Sequence, residues 1–137
     1  MLNNPKVNRI VLRFHGTFLI LLTILLISLS SLGTFRGTGV FDWLHSNPMA
    51  DVGLFQAYSL MMLVGVVLWI GSYQEQLWIW DLIGLCAHIA PLLANFIFAD
   101  VLAKTGLPST IPLHGFFILL ELSTLLYYWF SGTKRIK

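Results

Sequence analysis

Four long apolar runs limit what this chain of 137 residues can become. A helix rises 1.5 Å per residue, so about twenty residues cross roughly 30 Å of bilayer hydrocarbon. The runs cover about residues 14–32, 52–73, 77–99 and 111–130. The first two carry no charge, the third contains Asp81 and His88, and the fourth contains Glu121. Composition agrees: only 10% of residues are charged and 57% are hydrophobic, against about 25% charged in soluble domains. A water-soluble globule, a disordered tail and a nucleic-acid binder are excluded. The expected fold is an all-α integral membrane protein, one domain over residues 1–137, with four transmembrane helices in an antiparallel bundle.

The connections fit that layout. Residues 33–51 read as the long loop, marked by Gly33, Gly37, Gly39 and Asn47-Pro48. Phe41-Asp42-Trp43-Leu44 within it is expected to lie on the membrane interface. Residues 73–76 make a tight link, so the second and third spans are antiparallel neighbours. Residues 100–110 form a short loop with Gly106 and Pro108, and Ser109 or Thr110 caps the fourth span ahead of Pro112.

Basic residues set the orientation. Lys6, Arg9, Arg13, Lys134, Arg135 and Lys137 account for six of the eight Lys and Arg. The remaining two, Arg36 and Lys104, fall in the opposite loops. Four spans and the positive-inside rule put both termini on the cytoplasmic side of a bacterial inner membrane, thylakoid or organellar equivalent. Trp69, Tyr73, Trp78, Trp80, Tyr127, Tyr128 and Trp129 cluster at the same inner ends, as interfacial aromatics do. A competing reading makes the first run a signal peptide, with Ser28-Leu29-Ser30 as its small residues. Its apolar stretch is long for that role. Cys86 is the single cysteine, so no intrachain disulfide forms.

Ionisable groups inside a membrane cost about 2.5–3.5 kcal/mol each on insertion scales and usually face protein or water. Asp81, His88 and Asn95 are seven residues apart in succession, and so are His114, Glu121 and Tyr128. Each set therefore forms a stripe on one helix face. Matched by depth across antiparallel spans, Asp81 pairs with Tyr128, His88 with Glu121 and Asn95 with His114. A carboxyl at the depth of Glu121 is either neutral or shares a proton with His88, and such a pair titrates as a unit. The functional reading is a proton relay or a quinone headgroup site. The plainer reading is helix-to-helix glue, at about 0.6 kcal/mol per hydrogen bond. Asp81 also has a plain account, since a carboxylate suits the first turn of a helix near water.

Gln56, Tyr58 and Ser59, with Asn95 and His114, are expected to form an outer polar vestibule, with His45 as its cap. Pro91 kinks the third span and frees the carbonyl of Ala87. Gly65, Gly71, Gly84, Ala87 and Ala94 suit close helix approach. Met61-Met62 and Phe116-Phe117 read as core or lipid-facing residues. For haem, His15 reads as inner, His88 as central and His114 as outer, so no two are matched in depth. His88 is the best single ligand for a haem or chlorophyll. His114 and Glu121 stand about 10 Å apart along their helix, and no metal or nucleotide motif occurs. Phe14-His15-Gly16 and Leu113-His114-Gly115 form a faint internal echo.

The span layout resembles small DoxX-like membrane proteins, with Gln56-Ala57-Tyr58 opening the second span and Gly65 and Gly71 closing it. That resemblance implies a membrane-embedded partner of a redox or quinone-linked system. The leading expectation is an accessory subunit of a respiratory or photosynthetic membrane complex, held among other membrane-protein subunits or copies of itself. The alternatives are a redox-linked quinone- or pigment-binding protein and a proton or small-solute conduit.

Overall fold

The computed structural model describes residues 5–104 and 109–132. Its elements are α1 (Pro5–Arg36), a 3-10 turn (Asp42–Ser46), α2 (Pro48–Gly71), α3 (Leu77–Ile97), α4 (Ala99–Ala103) and α5 (Ile111–Gly132). Four helices are long and apolar enough to cross a bilayer: α1, α2, α3 and the Ile111–Phe130 part of α5. Lys134, Arg135, Lys137, Gly106 and Pro108 lie outside the described residues.

Helix α1 is longer than its apolar run at both ends. Hydropathy marks the part that suits hydrocarbon, whereas Pro5 fits a first helical position and the basic residues after it are good helix formers. His15 is consequently the eleventh residue of a 32-residue helix, not its entry. Gly37 ends α1 at φ 61°, and its N–H reaches the carbonyl of Gly33 at 2.9 Å. That left-handed cap suits glycine. Much of the expected long loop is ordered structure. Leu44, placed on the interface by its sequence, is fully buried within the 3-10 turn, and Phe41 is buried just before it. Pro48 then starts α2.

The contacts divide the chain into two compact units. The first holds Met1–His15 and Leu68–Lys137, the second Gly16–Val67. In the second unit, α1 and α2 meet closely at Gly65. A methyl added there would lie 2.9 Å from the carbonyl oxygen of Gly16 and 3.1 Å from Leu19 Cβ. His45 is drawn into this unit by donating from Nδ1 to the carbonyl of Thr34 at 3.0 Å. Gln56 is exposed and Tyr58 half-buried. Ser59 donates back to the carbonyl of Phe55 at 2.8 Å, so its proton is taken by its own helix.

In the first unit, α3 packs along α5. The opening turns of α1 are fixed to the end of α2 by Arg13. Its Nε donates to Ser72 Oγ at 3.1 Å, and its guanidinium lies 4.5 Å from the centre of the Tyr73 ring. Gly71 leaves room for the Trp80 ring to lie directly against it.

The buried faces repeat at spacings of four and three. They carry Asn8, Leu12 and His15 on α1, Asp81, Gly84 and His88 on α3, and Phe117, Glu121 and Thr124 on α5. That spacing is one stripe of a helix. Its chemistry is inverted relative to a soluble protein, because polar groups occupy the inside. The outward positions carry large apolar side chains such as Leu119, Phe96 and Ile97. A lipid solvent favours this polarity, since apolar groups lose nothing by facing it and polar groups must find partners within the protein.

Candidate functional site

Helices α3 and α5 run in opposite directions, but their polar stripes are not in the register that depth alone suggests. Each α3 residue meets a residue of α5 about one turn earlier than expected. Asn95 accepts from Thr110 Oγ1 at 3.0 Å, where His114 was expected. His88 stacks on Phe117 with ring centres 4.9 Å apart, and Asp81 lies beside Glu121 and Thr124 instead of Tyr128. Tyr128 is exposed. Gly84 accommodates this register. A methyl on that residue would fall 2.7 Å from Glu121 Oε1 and 3.2 Å from His15 Nδ1. Glycine vacates the space into which the Glu121 carboxyl settles.

The partner of that carboxyl is His15, which the sequence placed near the inner interface. His15 Nδ1 lies 2.5 Å from Glu121 Oε1. The other ring nitrogen of His15, Nε2, lies 2.7 Å from His88 Nε2. His88 in turn places Nδ1 at 2.8 Å from His114 Nδ1. His88 and Glu121 are thus joined through His15, not directly. Three histidines and one glutamate form an unbroken chain, and the two inner imidazoles use both ring nitrogens. Both His-Gly pairs of the internal echo contribute to it. That echo, with Asn8 seven residues before His15 at the Asp81–His88 spacing, is the sequence signal that could have found His15.

Phe117 seals the chain. Its ring stacks on His15 at 4.3 Å and on His88 at 4.9 Å, and only 1% of its surface is exposed. His15, Glu121 and Asp81 are fully buried, His88 is nearly so, and His114 is half-buried. The expectation that Asp81 sits near water is therefore corrected. Asp81 Oδ2 accepts from Asn8 Nδ2 at 2.7 Å, inside the protein. Asp81 and Glu121 are direct neighbours, and each keeps one buried oxygen, Oδ1 and Oε2, without a donor. Two adjacent carboxyls cannot both ionise readily, so a proton on either would satisfy them together.

The chain has two proton arrangements. Each nitrogen-to-nitrogen contact holds one proton, and a neutral imidazole carries one N–H. With Glu121 ionised, His114 donates to His88, His88 to His15 and His15 to Glu121. With Glu121 protonated, all three bonds reverse and His114 carries its proton on Nε2. The two arrangements differ by a single proton. A proton arriving at His114 Nε2 can therefore end on Glu121 by three short hops, with no atom moving far.

The same geometry argues against the haem and pigment readings. His15 and His88 do match in depth, contrary to expectation. Their nitrogens at 2.7 Å are hydrogen-bonded, whereas at roughly 2.0–2.1 Å per bond two nitrogens on one ion stand about 3.3 Å apart when tetrahedral and about 4 Å apart when axial. Both nitrogens of His88 are occupied, so neither is available to a haem or chlorophyll. Among the described residues, no group of three or more His, Cys, Asp and Glu has a metal-holding arrangement. Asn95 is tied locally, donating to the carbonyl of Pro91 at 2.8 Å while accepting from Thr110. Gln56 and Tyr58 belong to the other unit. No protein family, curated protein or solved structure matches this chain.

Proposed function

We propose that this is a small integral membrane protein that takes up and moves protons through the His114–His88–His15–Glu121 relay. The observation that carries the reading is the uninterrupted series of contacts at 2.8, 2.7 and 2.5 Å. Intramembrane His, Glu and Asp chains are a recurring proton pathway in membrane proteins. In this reading the four spans alternate in direction and both termini face the cytoplasm, a placement supported by the terminal basic residues. His114 then opens toward the outer side and Asp81 toward the inner side. Most of the chain is taken up by the four spans, so the proton is supplied or used by a neighbouring membrane-protein subunit, the role of an accessory subunit.

Infrared difference spectroscopy of the protein in lipid tests the relay. A pH step is expected to change the carboxylic C=O band together with imidazole bands. Glu121→Gln should remove the carboxyl change, and His88→Phe should disconnect it from His114. A wild-type spectrum with no carboxyl response would defeat the proposal.

A further inference from the structure

The relay has two ends of different chemistry. At His114 the chain begins on an imidazole that is half-buried in the first turns of α5. At the other end the Glu121 carboxyl neighbours that of Asp81, and Asp81 accepts from Asn8. Every group from His114 to Asp81 can accept a proton at one atom and release one. Asn8 cannot, because a primary amide donates and accepts hydrogen bonds but does not exchange its protons as an acid or base at ordinary pH.

Asn8 also stands where an exit would be. It is the fourth residue of α1 and 2% exposed, while Pro5, Lys6 and Val7 just before it are exposed. The side chain that holds Asp81 thus follows directly on three exposed residues. Arg9 follows Asn8 directly, and Arg13 lies one turn further on. Cations this near in the chain add a positive field that disfavours an emerging proton.

We infer that Asn8 is a stopper, a positioning residue that holds Asp81 and blocks the inner end of the relay. The native protein then loads and returns a proton through the His114 mouth and does not pass it across the membrane. This rests on the relay proposed above. Replacing Asn8 by a residue that can take and give a proton should turn the blind chain into a conducting one. In the variant, Asp81 hands its proton to the new carboxylate at position 8, which releases it to water at the start of α1, and the vacancy is refilled from His114.

The experiment uses the full chain in potassium-loaded liposomes with valinomycin and a trapped pH dye, under an imposed pH gradient. Wild type is expected to leak protons no faster than empty liposomes. Asn8→Asp should raise the flux several-fold, and the double variant with His88→Phe should return it to the empty-liposome level. Asn8→Leu, of similar size and unable to carry a proton, should stay closed, which separates proton transfer from simple loosening. Wild type conducting as fast as Asn8→Asp would overturn the inference. So would a folded Asn8→Asp protein that stays closed while its infrared carboxyl response persists. If that response is missing from wild type, the relay itself is what fails, so the two outcomes are distinguishable.

Discussion

His15 and Glu121 are 106 residues apart in sequence, and their side chains meet at 2.5 Å. Both are fully buried, so the contact forms where water competes little for either partner. Glutamine at position 121 keeps the shape and still offers an oxygen to His15. Glu121→Gln should therefore keep the fold, with a stability change of about 1–2 kcal/mol, while abolishing proton uptake. Thermal unfolding in detergent and infrared titration read the two effects separately. An unaltered proton response in this variant would remove Glu121 from the relay.

Gly84 decides where that carboxyl sits. Gly84→Ala brings a methyl to 2.7 Å from Glu121 Oε1, and overpacking of this kind costs about 1–3 kcal/mol. The expected result is a lower unfolding midpoint and a weakened His15–Glu121 contact, seen as a shifted imidazole NMR signal. A variant as stable as wild type with an unshifted His15 would show that the space is not needed.

Asn8 and Asp81 form a buried pair at 2.7 Å. Truncating either to alanine strands the other. A double-mutant cycle with both alanines should give a coupling of about 1.5–3 kcal/mol if Asp81 is charged and nearer 1 kcal/mol if it is neutral. Coupling indistinguishable from zero would mean that the pair contributes nothing to holding α1 against α3.

Phe117 covers two imidazoles at once. Phe117→Ala should cost about 3–5 kcal/mol through the cavity left behind, and Phe117→Leu clearly less. The alanine variant should also speed hydrogen–deuterium exchange at His15 and His88, because the lid over both rings is lost. Unchanged exchange in a folded Phe117→Ala protein would assign the shielding to other groups.

Gly65 tests the second unit. Its missing side chain lets α2 approach the backbone of α1 at Gly16, where a methyl would stand 2.9 Å from the carbonyl oxygen. Gly65→Leu should destabilise this crossing more than Gly65→Ala, and both more than a change at Gly53, beside which a methyl meets nothing within 4 Å. Thermal midpoints in one detergent would rank the three.

Much of this was legible in the chain itself. The apolar runs located the four long helices to within a few residues for α3 and α5, because a bilayer imposes a length on any span. The seven-residue spacing singled out Asp81, His88, His114 and Glu121, since helical periodicity fixes which residues share a face. Two differences have separate sources. Hydropathy begins the first span too late, at residue 14 where the helix starts at Pro5, which moves His15 out of the interior. Depth matching sets α3 against α5 one turn out, because a glycine at position 84 accommodates the shifted register without leaving any polar signal of its own.

Sequence by itself determined that the chain is helical, that its helices suit lipid, and that a few ionisable side chains must be buried among them. Those are consequences of periodicity, length and the cost of charge in hydrocarbon, all of which are local. Only the tertiary structure decided that His15 stands between His88 and Glu121, that Phe117 closes over the rings, and that Asn8 rather than water meets Asp81. Such contacts depend on the relative shift of helices by a single turn, and Gly84 leaves the space in which the Glu121 carboxyl and the His15 ring meet.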